Sequence, residues 1–517
     1  MPSRGSSLRK HAPECLKRGR GPGVARTETL DSRFRENDQA TVFADVAAFV
    51  QGLTFDRLPA EVVASAKRSL LDLIGVAAAG SRTRAAQIAN AYATSELCGG
   101  NTSVRILFDG RRASLCGAAF AGATTIDALD GHDGHVLTKG HAGAAVLPAL
   151  LALVDRGSRG ATARDSDFAS SAGTARAIDN DSSDAVARAI DGREFVTRLV
   201  LGYEVATRAG IALHATVADY HCSGAWNALG CAAVAARHFG LDETRTRHAL
   251  GIAEYFGPRG QILRACESPT MVKDGSGWGA HAGVSAALLA REGFTGAPAV
   301  TVEREDAAAL WADLGRRWCI REQYFKAYPV CRWAQPAIEA ALALQRAHGF
   351  TAEEIASIAI ESFQEAVALG SRCAMPRTTE EAQYSLAFPV AAALVFGRVG
   401  AGEVGAIGFE DARVARLVAA TVAVEDVELS RRFPAERWAR VRVALADGRT
   451  LVSQPAQARG GAENPLPDGE LEEKYRALAE PVLGAERAAR IERSIARLPR
   501  DAAALQELVE DLLSPVT

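Results

Sequence analysis

Asp127-Ala-Leu-Asp130-Gly-His132-Asp133-Gly-His135, then Lys139-Gly-His141-Ala-Gly143 and an apolar run over 144–154, is the passage on which the reading of this chain turns. Three histidines, three aspartates and one lysine fall in positions 127–141, in a chain with only 10 histidines. Glycines at 131, 134, 140 and 143 break any regular helix through them, so the segment reads as a loop. Upstream, 113–129 predicts a helix of small residues (Ala118, Ala119, Ala121, Gly122, Ala123), which suits close helix–helix contact. Downstream, 144–154 reads as a buried helix. A polar loop slung between two buried helices predicts a helical core with its chemistry concentrated on the loop.

The same texture extends on both sides. Val42, Val46, Phe49, Val50 and Leu53 share one helical face. Val62, Ala66, Leu70, Leu73 and Ala77 recur at steps of three and four, with Pro59 placed to begin that helix and Gly80 to end it. Further helices are expected from Gly192 through Val205 and over 223–239, 242–252 and 283–292. From about residue 300 the pattern changes. Ile358 and Ile360 alternate with small and acidic neighbours, and Val441, Val443 and Leu445 alternate before Asp447-Gly448. Thr450 and Val452 continue that alternation, which predicts a hairpin with an Asp-Gly turn. Helices at 336–346, 387–395 and 410–419 lie between these strands, and 470–513 is helical again. The fold class expected is mainly α: an all-helical domain over 41–299, a smaller α+β lid domain over 300–455, and C-terminal helices over 456–517 that return to the helical domain. Residues 1–40, rich in Arg, Lys, Gly and Ser, are expected to be a disordered extension. Residues 156–189, rich in Ser, Asp, Ala and Gly, are expected to be a flexible insertion.

Composition narrows the function classes. The 517 residues are 48% hydrophobic and 23% charged, with a formal net charge of -3. No global positive field favours nucleic acid or an anionic membrane, so an acidic ligand must be held by a local cluster of Lys and Arg. No apolar run reaches the roughly 18–20 residues that span a bilayer. The 9 cysteines contain no C-x-x-C pair, which fits reduced thiols in a cytoplasmic protein rather than a zinc ribbon.

Four constellations carry candidate chemistry. In the 130–141 loop, His132, Asp133 and His135 are ligand types at close spacing, so a metal site is one reading. Acid–base work by a histidine backed by an aspartate is a second, and a polar loop satisfying its own backbone is a third. In His221-Cys-Ser-Gly-Ala-Trp226 an imidazole stands at a helix start that favours a carboxylate; the bland alternative is a capping loop. Thr270-Met-Val-Lys273-Asp-Gly-Ser-Gly-Trp-Gly279 puts a lysine on a glycine-rich turn without the G-x-G-x-x-G dinucleotide pattern. In Phe325-Lys326-Ala-Tyr-Pro-Val-Cys331-Arg332 two cations flank a turn made by Pro329.

In this order the blocks resemble the MmgE/PrpD family, which includes 2-methylcitrate dehydratase and cis-aconitate decarboxylase. The resemblance rests on Gly140-His141-Ala-Gly143, His221-x-x-Gly-x-Trp-x-Ala-Leu-Gly230, Met271-Val-Lys273, Gly293-Phe-Thr-Gly296, Lys326-x-Tyr-Pro-x-Cys-Arg332, Asn464-Pro-Leu and Glu470-Leu-Glu-Glu-Lys-Tyr475. It implies a helical domain with an α+β lid, an active site between them, no metal and no organic cofactor. The implied substrate is a small di- or tricarboxylic acid, and the implied assembly a homodimer. Matched by motif, it marks Asp130, His141, His221, Lys273 and Lys326 as the site. Two departures stand out. The loop reads Gly131-His132-Asp133-Gly134 where many relatives carry consecutive aspartates and a threonine. Ala327 follows Lys326 where the decarboxylase-like branch has a basic residue, which shifts the expectation toward dehydration.

The expected reaction is loss of water from a 2-methylcitrate-like hydroxy acid. His141 and His221 share the proton work, with Asp130 orienting an imidazole. Lys273, Lys326, Arg332 and His132 bind the carboxylates. A decarboxylase or epimerase on the same site, a non-catalytic dicarboxylate-binding homologue and a metal-dependent hydrolase are the alternatives.

Overall fold

The computed structural model describes residues 37–160, 190–370, 375–461 and 464–516. Of the expected extension 1–40 and insertion 156–189, residues 1–36 and 161–189 lie outside the described residues, whereas 37–40 and 156–160 are helical, the helices starting earlier and running on later than composition suggests.

The first half of the chain is helical: α1 (Asn37–Gly52), α2 (Ala60–Gly80), α3 (Arg84–Glu96), α4 (Leu115–Asp127), α5 (Gly143–Gly160), α6 (Gly192–Thr216), α7 (Gly224–His238), α8 (Glu243–Phe256), α9 (Ile262–Glu267) and α10 (Ser276–Arg291). α7 lies at the centre, packed on α5, α6, α8 and α10, and α4 packs on α5 and α10. The small residues in these helices are there because the axes approach closely. A Cβ on Gly80 would sit 2.1 Å from the Thr125 carbonyl oxygen, and one on Gly283 2.2 Å from that of Ala228. Gly80 is the last residue of α2, but its glycine is required by the contact with α4 rather than by a left-handed stop. The same logic explains why α10 begins at Ser276, seven residues before the expected start at 283: Gly277 and Gly279 read as turn formers, yet they are helical and face Thr124 and Asn227.

A short ladder pairs β1 (Val104–Arg105) with β2 (Arg112–Ala113). The helical unit runs past residue 300, because the helices Val300–Glu303 and Glu305–Ala308 pack against α1 and α6. The smaller α+β unit is built on a sheet of β3 (Ile355–Ser362), β4 (Thr421–Glu425), β5 (Trp438–Leu445), β6 (Thr450–Val452) and β7 (Ala456–Gln457). β3 pairs with β4 in parallel and with β5 antiparallel, and β6 and β7 pair with β5. Ile358 and Ile360 on β3 and Val441 and Val443 on β5 are buried, so the sheet has one core face, covered by Gln335–His348. The hairpin at Asp447-Gly448 joins β5 to β6 as its alternation predicts.

The helix Asp468–Leu483 packs along α2, where Gly75 lets the backbone of Tyr475 approach, and Ala485–Arg497 and Ala504–Leu513 follow it. The molecule is thus mainly α, a large helical domain with a smaller α+β domain. Among the described residues no helix is long and apolar enough to cross a membrane.

Candidate active site

α4 ends at Asp127 and α5 begins at Gly143, and the loop between them is held on both sides. Gly134 exchanges backbone hydrogen bonds with Tyr324 (2.7 and 3.0 Å), and His135 pairs with Gly140. Phe325 N–H donates to Gly460 O (2.9 Å), so the segment carrying Lys326 is threaded between the loop and the chain following the sheet. The loop histidines and aspartates are buried as a result.

His141 is the best-defined group. Its Nδ1 contacts the carbonyl oxygen of Asp133. A carbonyl only accepts, so Nδ1 carries the proton and Nε2 carries a lone pair. Nε2 lies 3.9 Å from Asp130 Oδ1 and 3.9 Å from Asp274 Oδ2. The His141 amide donates to Ser223 Oγ (3.0 Å), Ser223 Oγ donates to Asp274 Oδ1 (3.0 Å), and Asn227 Nδ2 donates to His141 O (3.2 Å). Burial, then the neighbouring His132 and Lys326, lower the His141 pKa to about 3, so the ring is neutral at pH 7.

The carboxylates divide by environment. Asp130 forms a buried ion pair with Lys326. Burial pushes its pKa up, but Lys326 and Lys273 outweigh it, and the carboxyl is held well below the usual range. Burial works against the Lys326 charge in turn, and the Asp130 carboxylate more than offsets this. Among the described residues no Lys or Arg forms an ion pair with Asp274; burial raises it to about 6 despite His141. Asp127, raised by burial to about 6, accepts from the Ser276 amide (3.2 Å). One buried carboxyl is therefore kept ionised and another near it keeps a proton at mildly acid pH, the division of labour that acid–base sites use.

Gln383, on the short helix Thr379–Gln383 of the second domain, ties these pieces together. Its Oε1 accepts from the Asp130 amide (2.8 Å) and from Lys273 Nζ, and its Nε2 donates to Ala128 O (3.2 Å). Lys273 stands in the left-handed backbone region (φ 51°), followed by Gly275 (φ 68°), and this turn aims Lys273 and Asp274 inward ahead of α10.

A cavity of about 70 Å³ lies at the junction, lined by Asp130, His141, Asp274, Tyr324, Lys326, Arg332 and Tyr384, among others. It is smaller than the roughly 300 Å³ at which small-molecule sites begin. α9 and the 270–275 turn form one of its walls. Ile262 and Cys266 face the cavity, while Arg264, Met271, Val272 and Lys273 line a larger hollow of about 680 Å³ on its other side.

The residues singled out from sequence are placed as follows. Asp130, His141, Lys326 and Arg332 line one cavity; the Arg332 guanidinium lies over the Tyr324 ring (4.5 Å) and donates to Arg459 O (2.6 Å). Lys273 is one layer away, sharing Gln383 with Asp130. His132 stands behind His141, its ring edge-on at 4.1 Å and its Nε2 3.4 Å from Asp127 Oδ1. His221 lies apart: its Nδ1 is 3.3 Å from Arg259 O and its amide donates to His214, while its neighbours Tyr220 and Ser223 reach the site. The His141 tautomer is set by the Asp133 carbonyl, where the sequence reading gives that task to Asp130. Asp130, His132 and His141 offer ligand atoms within 4.8 Å of one another. A divalent cation there would share the Asp130 carboxylate with the Lys326 ammonium, which is already paired with it. Sequence reasoning missed Gln383, Asp274 and Tyr324. Asp274 and Tyr324 adjoin quoted motifs; Gln383 carries no local signal.

The arrangement is a buried imidazole with a free lone pair beside a carboxyl held ionised, a carboxyl raised to about 6 and an ammonium. The comparisons give the family. The MmgE/PrpD N-terminal domain is matched over residues 44–316 and the MmgE/PrpD C-terminal domain over residues 328–499, and the chain belongs to the MmgE/PrpD family. It is 25% identical over 496 residues to the cis-aconitate decarboxylase-like protein oryM of Aspergillus oryzae, covering 90% of this chain and 96% of that one. Family and relative together support an enzyme of the lyase kind, of dehydratase or decarboxylase type.

Proposed function

We propose that this enzyme removes water from a small hydroxy di- or tricarboxylic acid of the 2-methylcitrate kind, without a cofactor. The observation that carries the reading is His141: its Nδ1–H is spent on the Asp133 carbonyl, and Nε2 faces the cavity between an ionised and a protonatable carboxyl.

The substrate carboxylates take up Lys326 and Arg332, with Lys273 behind, and a bound polyanion raises the His141 pKa from its low value. Nε2 then accepts the proton from the carbon next to a carboxylate. The C–H electron pair becomes the new C=C bond as the C–O bond breaks. Asp274 delivers its proton to the departing hydroxyl, which leaves as water. The proton on His141 returns to Asp274 across the 3.9 Å contact. The ammonium groups stabilise the carbanion-like charge, at about 2.7–4 kcal/mol for a well-placed donor. The acid and base contribute about 10²–10⁴-fold each.

Decarboxylation is the second reading, favoured by the similarity to oryM. Incubation with a panel of citrate-like acids separates the two: the mass of water is lost in one and carbon dioxide in the other. No consumption of any acid in the panel refutes both.

We also propose a homodimer in the cytoplasm. Met271, Val272 and Trp278 are exposed around the larger hollow, an apolar surface of the sort that subunits cover. The cysteines at 98, 116, 222, 231, 266, 319 and 331 are free thiols, which supports a reducing compartment.

A further inference from the structure

The block Glu470–Tyr475 lies more than three hundred residues from the histidine loop and has no part in the mechanism above. Its lysine nevertheless reaches the loop. Lys474 Nζ donates to Asp72 Oδ1 on α2 (2.5 Å) and to the Gly131 carbonyl oxygen (2.6 Å). The Asp72 side chain is fully buried and that of Lys474 is 11% exposed. The Asp133 backbone lies near enough to favour the charged form of the Asp72 carboxylate, whose second oxygen makes no hydrogen bond. The Asp133 side chain is anchored separately, accepting from Tyr203 OH (2.6 Å). Asp133 is the residue whose carbonyl holds His141 Nδ1 and stands 3.4 Å from His132 Nδ1. The connection runs from the C-terminal ammonium to the Gly131 carbonyl and, two residues further along the loop, to the Asp133 carbonyl and the His141 imidazole.

We propose that Lys474 is a positioning residue for the reaction assigned above, holding the 131–133 backbone so that the Asp133 carbonyl fixes the tautomer and direction of His141. Lys474 does not line the cavity. Asp72 alone does not do this work. Without the ammonium a fully buried carboxylate loses its compensating charge and takes up a proton. The Gly131 carbonyl loses its donor at the same time. Close packing of Tyr475 on Gly75 sets the height at which Lys474 enters.

The test is Lys474→Met, which keeps the stem and volume and removes the ammonium. Histidine-selective 15N labelling reads which ring nitrogen of His141 is protonated, with His141→Gln giving the assignment. In the unmodified protein His141 is a single Nδ1–H tautomer. In Lys474→Met that signal is lost or split, kcat falls on the order of tenfold to a hundredfold, and KM stays within about twofold. Where Lys474→Met does not fold, Asp72→Asn is read the same way, since it removes the ammonium's ionic partner. A folded variant of either kind with an unchanged His141 signal overturns the proposal, whatever its turnover. A changed signal in a protein that converts no carboxylic acid upholds the positioning role and removes the assigned reaction, so the two failures are distinct.

Discussion

Replacing Lys326 by Met isolates the electrostatic core of the site. The Lys326 and Asp130 side chains are 2% and 4% exposed, so neither charge is shared with solvent. Removing the ammonium leaves a buried carboxylate unpaired, at a cost of about 3–5 kcal/mol, and Asp130→Asn leaves a buried ammonium unpaired at a similar cost. The double variant contains neither charge. Its loss should be close to that of one single variant, a coupling of roughly 3 kcal/mol, the upper end for groups in direct contact. Urea unfolding followed by tryptophan fluorescence measures this, with the slope compared across the four proteins. Both singles should also lose turnover by at least about 10²-fold. Losses that add to within about 0.5 kcal/mol would refute the reasoning, because the two groups would then act independently.

Further outcomes follow from the same geometry. His141→Gln should lower kcat by about 10²–10⁴-fold with the unfolding curve nearly unchanged, checked by steady-state kinetics beside circular dichroism. His221→Ala should cost far less turnover than His141→Gln, since the His221 ring lies against Arg259 O; equal losses would place it in the chemistry. Asp133→Asn should change the pH dependence of stability. Burial, then the Asp72 carboxylate, push the Asp133 pKa up to about 7 from 3.8. Between those values the folded protein binds the proton that the unfolded chain has released, so this group's contribution falls as pH rises through that window. The variant should therefore compare better with the parent at pH 8 than at pH 5, read by the Tm difference at each pH.

Much of the frame was legible because its signals are local. The α2 stripe from Val62 to Ala77 and the β5–β6 alternation around Asp447-Gly448 are set by neighbours within a few positions. The α10 boundary was not, because Gly277 and Gly279 look the same in sequence whether they turn a chain or admit a helix. The site divides likewise. Asp130, His132 and His141 are close in sequence and close in space. Lys326 was reached through its motif. Gln383 and Lys474 act on the loop from 253 and 343 residues away, and only the packed fold shows what they touch. His221 shows the converse: a motif histidine whose neighbours reach the site while its own ring turns to a backbone carbonyl.

The central claim is that a polyanion binds in the small cavity with a C–H bond facing His141 Nε2. A crystal structure with tricarballylate, a tricarboxylate with no hydroxyl to lose, tests it most directly. The account predicts carboxylates on Lys326 and Arg332 and a methylene carbon within contact of Nε2. Tricarballylate seated only in the larger hollow beyond the 270–275 turn, with the cavity around His141 unchanged, would contradict it.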